Sequence, residues 1–208
     1  VAIETPNGVE FSAAAKLYLC ASRFIKPAGM LMGYPTPAGQ KVHMAYLADG
    51  IVLVTLDWLE QNQYAQIWQD TRKMLMGSTP VVVVKALYSE APGFSGRFLQ
   101  ATHWENADLI KIMDRLLRID RSPLIPFLDD ISTEFVQAGI LTRGGYGAHG
   151  NVWDAQWLEY LLEAWSPEVY DFYNRALSRP DRAVAERNIG HAVAASQPRD
   201  DDDGISFD

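Results

Sequence analysis

Residues 42–75, VHMAYLADGIVLVTLDWLEQNQYAQIWQDTRKML, constrain the fold more than any other stretch, because two apolar runs meet at Asp49-Gly50 and a polar-faced segment follows. A two-residue Asp-Gly loop suits the positive φ angles of a type I′ turn, so 42–48 and 51–56 read as an antiparallel hairpin. The second run is apolar with almost no alternation, as expected of a central strand covered on both faces. From Asp57, with Glu60 three residues on, the reading changes to a helix. Tyr64, Ile67, Trp68, Thr71 and Leu75 then trace one face, and Gln61, Gln63, Gln66 and Gln69 fall largely outside it. Gly77-Ser78-Thr79-Pro80 stops that helix.

The flanks are read from their punctuation. Residues 1–10, with Pro6 and Asn7-Gly8, make an extended arm ending in a turn, and Ser12 caps a helix whose Leu17, Cys20, Ala21 and Phe24 share one face. Residues 26–40 hold too many glycines and prolines for regular structure. They nevertheless present Met30, Leu31, Met32 and Tyr34, so this loop is expected to pack against something. Val81 opens a β-branched strand running to Tyr88, SEAPGFSG is a loop, and 97–104 alternates as the returning strand of a second hairpin. Asn106 caps a helix carrying Leu109, Ile110, Ile112, Met113, Leu116 and Leu117 on one side.

From Ser122 the chain reads as helical. Ser122-Pro123 and Ser166-Pro167 are each an N-cap followed by Pro at the first helical position, where its missing N–H is harmless. Asn151 opens an aromatic helix with Trp153, Trp157 and Leu161, and one more helix starts at Pro180. The expected class is α+β: a small antiparallel sheet of two hairpins, interleaved helices and a helical C-terminal half. Residues 1–10 form the arm, 11–195 one domain, and 196–208 an acidic tail that has too little apolar surface to order itself.

Charge and cysteine content narrow the function classes. A formal net charge of −8 over 208 residues argues against a protein devoted to gripping phosphates, since that affinity comes from Lys and Arg displacing counterions. No run of about 18 apolar residues is present to span a membrane, and VAIETPNG lacks the basic-then-apolar order of a signal peptide. The chain therefore reads as soluble. The single Cys20 excludes an intramolecular disulfide, reads as a buried inert thiol, and fits a reducing compartment or an assembled particle.

Several motifs come close to known chemistry and stop short. Gly145, Gly147 and Gly150 have the dinucleotide-loop spacing, but the following segment leads into a second helix where that motif requires a strand and an acidic residue. Helices at 109–117, 124–128 and 131–138 followed by ILTRGGYG have the order of a winged helix. Asp129, Asp130 and Glu134, however, load the would-be recognition helix with the wrong charge. Gly93-Phe94-Ser95-Gly96 lacks the final glycine of a nucleophile elbow, and Arg97 stands in its place. His43, His103, His149 and His191 are scattered, and His103-Trp104-Glu105 has no Cys pair to complete a zinc-deaminase pattern. No two histidines are expected to share a metal, and no cofactor is expected.

These readings lead to a non-catalytic structural or assembly subunit of a larger protein complex, with a viral or phage structural protein as one such assembly. The partners are other protein chains, in a homo- or hetero-oligomer. The candidate interaction residues are Met30, Leu31, Met32, Tyr34, Arg143, Tyr146 and His149, with Asp200, Asp201, Asp202 and Asp203 of the tail facing a basic partner. The alternatives are an enzyme with its site near the glycine-rich loop 143–151, built from Arg143, Tyr146 and His149, and, behind it, a winged-helix-like DNA-binding protein.

Overall fold

The computed structural model describes residues 5–29, 33–74, 77–144 and 151–198, and over them the chain is an α+β fold, helices packed with three small antiparallel sheets. Met30, Leu31, Met32, Tyr146, His149 and the four tail aspartates lie outside the described residues. Among the described residues no helix is long and apolar enough to cross a membrane. Helix α1, Ala13–Phe24, starts at the predicted cap: the Ser12 hydroxyl accepts from the Ala15 N–H at 3.2 Å. The breaker-rich segment that follows is more regular than its composition predicts. Strand β1, Gly33–Pro35, pairs with β2, Lys41–His43, and the turn between them is closed at Gly39, which has a φ of +81°.

Helix α2, Met44–Gln61, runs unbroken through Asp49 and Gly50, so the predicted hairpin at 42–56 is wrong. Leu47, Ala48, Ile51, Val52, Leu53, Val54, Leu56 and Leu59 are all essentially fully buried. α1 packs on one part of this surface, and other helices and a strand cover the rest. A helix enclosed on all sides has no polar face, and its sequence cannot be told from a doubly covered strand by periodicity. Each Val, Leu or Ile buried this way is worth about 1.5–3 kcal/mol, against a cost of about 1 kcal/mol for a glycine inside a helix. Burial therefore overrides the local turn preference. Gly50 has a packing role: a Cβ there would come within 3.2 Å of both the Leu17 and Tyr173 side chains.

The next two elements invert the expectation for the same region. The predicted helix through residue 75 ends at Gln61, and Ala65–Met74 is strand β3, paired antiparallel with β4, Gly77–Ala86, from Ala65↔Ala86 to Met74↔Gly77. The helical spacing of Tyr64, Ile67 and Trp68 was coincidental. The β-branched run Val81–Val84, buried on both faces, requires a ladder beside it, and β3 supplies one. The predicted returning strand at 97–104 is instead helix α3, Gly93–Gln100, which buries Phe94, Phe98 and Leu99. The third strand of this sheet is the short β5, Asn106–Asp108, in the order β3-β4-β5. Where β5 stops, the buried Asn188 takes over: its Oδ1 accepts from Val82 N–H at 2.9 Å and its Nδ2 donates to Pro80 C=O at 3.1 Å.

Helix α4, Leu109–Leu116, is capped by Asp108, not by Asn106. Helix α5, Leu124–Ile131, begins where predicted, but Pro123 holds its N-cap position and no side chain caps it, so Ser122 is not the cap; α6, Thr133–Gln137, follows it closely. Strands β6, Leu141–Thr142, and β7, Val152–Trp153, pair antiparallel. Helix α7, Ala155–Leu177, is capped by Asp154 and not opened by Asn151, and it passes straight through Pro167, so Ser166-Pro167 does not start a helix. Arg23 donates to the Leu162 C=O at 3.3 Å and to the Ser166 hydroxyl at 2.6 Å, which ties α7 to α1 just before that proline. Helix α8, Arg182–Ala195, completes the order and packs on α4 and β4.

One buried carboxylate joins three of these elements. Glu134 of α6, 3% exposed, accepts from Ser12 N–H at 2.8 Å, Ser12 Oγ at 2.7 Å and Phe94 N–H at 2.8 Å. It thus satisfies donors at the starts of α1 and α3, where the helix dipoles favour negative charge. Gly93, at φ +51°, leaves room for it, because any Cβ would collide with the carboxylate. Replacing Glu134 by Ala strands these donors, at about 1–3 kcal/mol for each group left unsatisfied. We expect Glu134→Ala to lower stability in urea unfolding by about 3 kcal/mol or more, and Glu134→Gln, which keeps one acceptor oxygen, by clearly less. An unchanged unfolding midpoint for Glu134→Ala would refute the clamp.

Candidate functional site

The residues that gather around a cavity were not those singled out from the sequence. Tyr34 is buried, and its hydroxyl donates to Asp129 Oδ1 at 2.7 Å beside the Tyr18 hydroxyl at 3.4 Å. Arg143 donates to Asp129 C=O at 2.6 Å, Thr133 Oγ1 at 2.8 Å and Ser132 Oγ at 3.2 Å. The structure therefore brings Tyr34 and Arg143 to one residue, Asp129, where both are engaged in internal bonds. Burial pushes the Tyr18 hydroxyl up to about 12, and the Tyr34 hydroxyl is likewise raised by burial and by its neighbours Tyr18 and Asp129. Both phenols therefore stay protonated near neutrality. Cys20 is buried as expected, and its thiol is raised to about 11, mainly by desolvation. Among the described residues no group of three or more His, Cys, Asp or Glu side chains could hold a metal ion.

A cleft of about 390 Å³ opens where the C-terminal end of α1 meets α2, α7 and α8. Asp49 and Gly50 of α2 form its floor, Tyr173 of α7 one wall, and Arg182 and Glu186 of α8 another. Phe24 and Tyr46 contribute rings at the sides, and the exposed Lys26 stands at the rim. The arrangement follows from local structure. Asp49 and Gly50 sit next to each other on α2, so the absent side chain of Gly50 lets the Tyr173 ring approach the helix beside the Asp49 carboxyl. Arg182 and Glu186 are one helical turn apart and pair at 2.6 Å between Nε and Oε1.

That pairing leaves Asp49 without a partner. Among the described residues no hydrogen bond or ion pair reaches its carboxyl, which is raised from 3.8 to about 7 by burial, then by the charge of Glu186, with Arg182 pulling the other way. The Tyr173 hydroxyl is raised too, by burial first and by Asp49 and Glu186 after it, against Arg182. A carboxyl that changes charge near neutrality, facing a cavity, can hold a proton or a cation. A second cleft, of about 530 Å³, has its charges already matched, with Asp57 against Arg175 at 3.2 Å and Arg179 between Glu60 at 2.7 Å and Asp181 at 2.8 Å. Among the described residues it holds no unpaired carboxylate comparable to Asp49.

Asp49 was visible in the sequence only as a turn residue. The i,i+4 step of Arg182 and Glu186 was legible as a helical pair, but nothing local connects it to Asp49 or Tyr173. A protonation difference between folded and unfolded chains makes stability depend on pH. The unfolded chain releases the Asp49 proton near 3.8, while the folded protein keeps it until about 7. Stability contributed by this group is therefore complete below about pH 4 and is lost as pH rises towards 7, a loss on the order of 4 kcal/mol. Asp49→Asn removes that dependence. We expect the stability of Asp49→Asn minus that of the native protein to grow between about pH 4 and 7 and then level off, measured by urea unfolding across the range. A difference that does not change with pH would show that the carboxyl is not desolvated. In comparisons with known proteins, no family model, curated protein or solved structure matches this chain.

Proposed function

We propose that this chain is a non-catalytic assembly subunit that engages other protein chains through the outer half of the β3–β4 hairpin. The observation that supports the reading is the contrast between the two halves of that ladder. Val81–Val84 are buried beneath α8 and α4, whereas no residue from 70 to 80 whose burial is described is buried on either face. An isolated two-stranded ribbon is marginal in water, so an exposed extension gains its value from what it touches. The outer edge of β3 has no strand partner among the described residues, and its N–H and C=O groups are free to accept another strand. Trp68, 37% exposed near the base of the arm, adds an aromatic anchor. A viral or phage structural protein is one class of assembly in which such an arm would serve.

The test separates the arm from the body. Residues 71–80 are replaced by Asn-Gly, a two-residue turn that joins the paired positions Asp70 and Val81. We expect this variant to keep the native circular dichroism and unfolding midpoint. We expect it to lose the oligomer or complex that the native chain forms, read by light scattering after gel filtration. A native chain that stays monomeric and unpaired up to about 100 μM, or a shortened variant that assembles as well as the native chain, would overturn the reading.

A further inference from the structure

We propose that the cleft between α2, α7 and α8 is a binding site for a small organic amine, whose ammonium group is held by the Asp49 carboxylate against the rings of Tyr173, Tyr46 and Phe24. The inference is independent of the assembly reading. Its volume of about 390 Å³ lies in the range of small-molecule pockets, which runs from about 300 to 1,000 Å³. The charge distribution selects the ligand class. Glu186 is paired with Arg182, and Lys26 is exposed and solvated, so Asp49, half-buried at the floor, is the charged group of the cleft without a partner among the described residues. A half-buried carboxylate without a counter-charge is disfavoured, and a cation brought to it recovers that cost. The lining chooses an organic cation over a bare metal ion, because aromatic rings attract an ammonium group and accommodate its hydrocarbon part, whereas a hard metal needs several oxygen ligands converging. Gly50 strengthens the case: the Tyr173 ring comes within 3.2 Å of where a Cβ would stand, and Tyr173 lines the same cleft as Asp49.

The site should be governed by pH. Binding of the ammonium requires Asp49 ionised, and the groups that face it are Lys26 after α1, Tyr46 on α2, Tyr173 on α7, and Arg182 and Glu186 on α8. Of these, Glu186 opposes ionisation and Arg182 favours it. Affinity for the amine therefore rises as pH passes upward through about 7.

The experiment titrates the full chain with benzylamine, and with benzyl alcohol as a neutral control of like shape, while amide signals are followed by NMR. Benzylamine is expected to give saturable shifts centred on Asp49, Tyr173 and Arg182 in the millimolar range usual for ligands of this size, and to bind at least about tenfold more tightly at about pH 8 than at about pH 5.5. Benzyl alcohol should bind at least about tenfold more weakly at the higher pH, and Asp49→Asn should lose benzylamine to the same degree. Equal binding of amine and alcohol, an affinity that does not change with pH, or no saturable shift at about 10 mM overturns the proposal. The comparisons on the native chain need no variant, so the outcome does not hinge on how Asp49→Asn folds.

Discussion

The all-round burial of α2 is the constraint on which the remaining architecture depends. A helix whose Leu47, Ile51, Val54, Leu56 and Leu59 are fully buried needs cover in every direction, and α1, α7, α8, α5 and β3 supply it. The distribution of the other elements follows from that need. Helices take the larger part of the surface, and the sheet β3-β4-β5 closes another side, with α4 and α8 packed on β4. Glu134 then fixes the starts of α1 and α3 relative to α6, so the shell around α2 is held by directed bonds as well as by packing.

The same burial explains why Asp49 matters. A polar residue on an enclosed helix must either find an internal partner or face a space that water or a ligand can enter, because an unsatisfied charge in an apolar interior is strongly disfavoured. Thr55 on the same helix takes the first course and donates to the Ile51 C=O at 2.7 Å. Asp49 takes the second, and the α1–α2–α7–α8 cleft is the space.

How much could be read from the sequence depended on whether the signal was local. The Ser12 cap, the helix start near Ser122-Pro123 and the Val81–Val84 run were legible, since capping, proline and β-branching act within a few residues. The class α+β was legible for the same reason. Asp49-Gly50 was misread because two correct local rules, turn chemistry and apolar run length, were outweighed by contacts with residues more than a hundred positions away, Tyr173 among them. Gly93 and Gly96 were misread similarly. They looked like loop residues, but Gly93 is required by the Glu134 carboxylate and Gly96 by the close Ala91 carbonyl. The cleft was illegible because its groups come from four segments, and no spacing in the chain connects them.

Asn188 has a consequence for the geometry of any assembly built by strand addition. Its side-chain amide offers an acceptor to Val82 and a donor to Pro80, as a neighbouring peptide unit would, so it completes the side of β4 that β5 covers only from Val83 to Lys85. Pro80 itself has no N–H to offer. Near the body, then, Asn188 occupies the margin of β4 that β5 leaves uncovered, while the outer edge of β3 has no strand partner among the described residues. Two copies that meet through β3 would pair both of those edges at once, giving a closed pair with twofold symmetry.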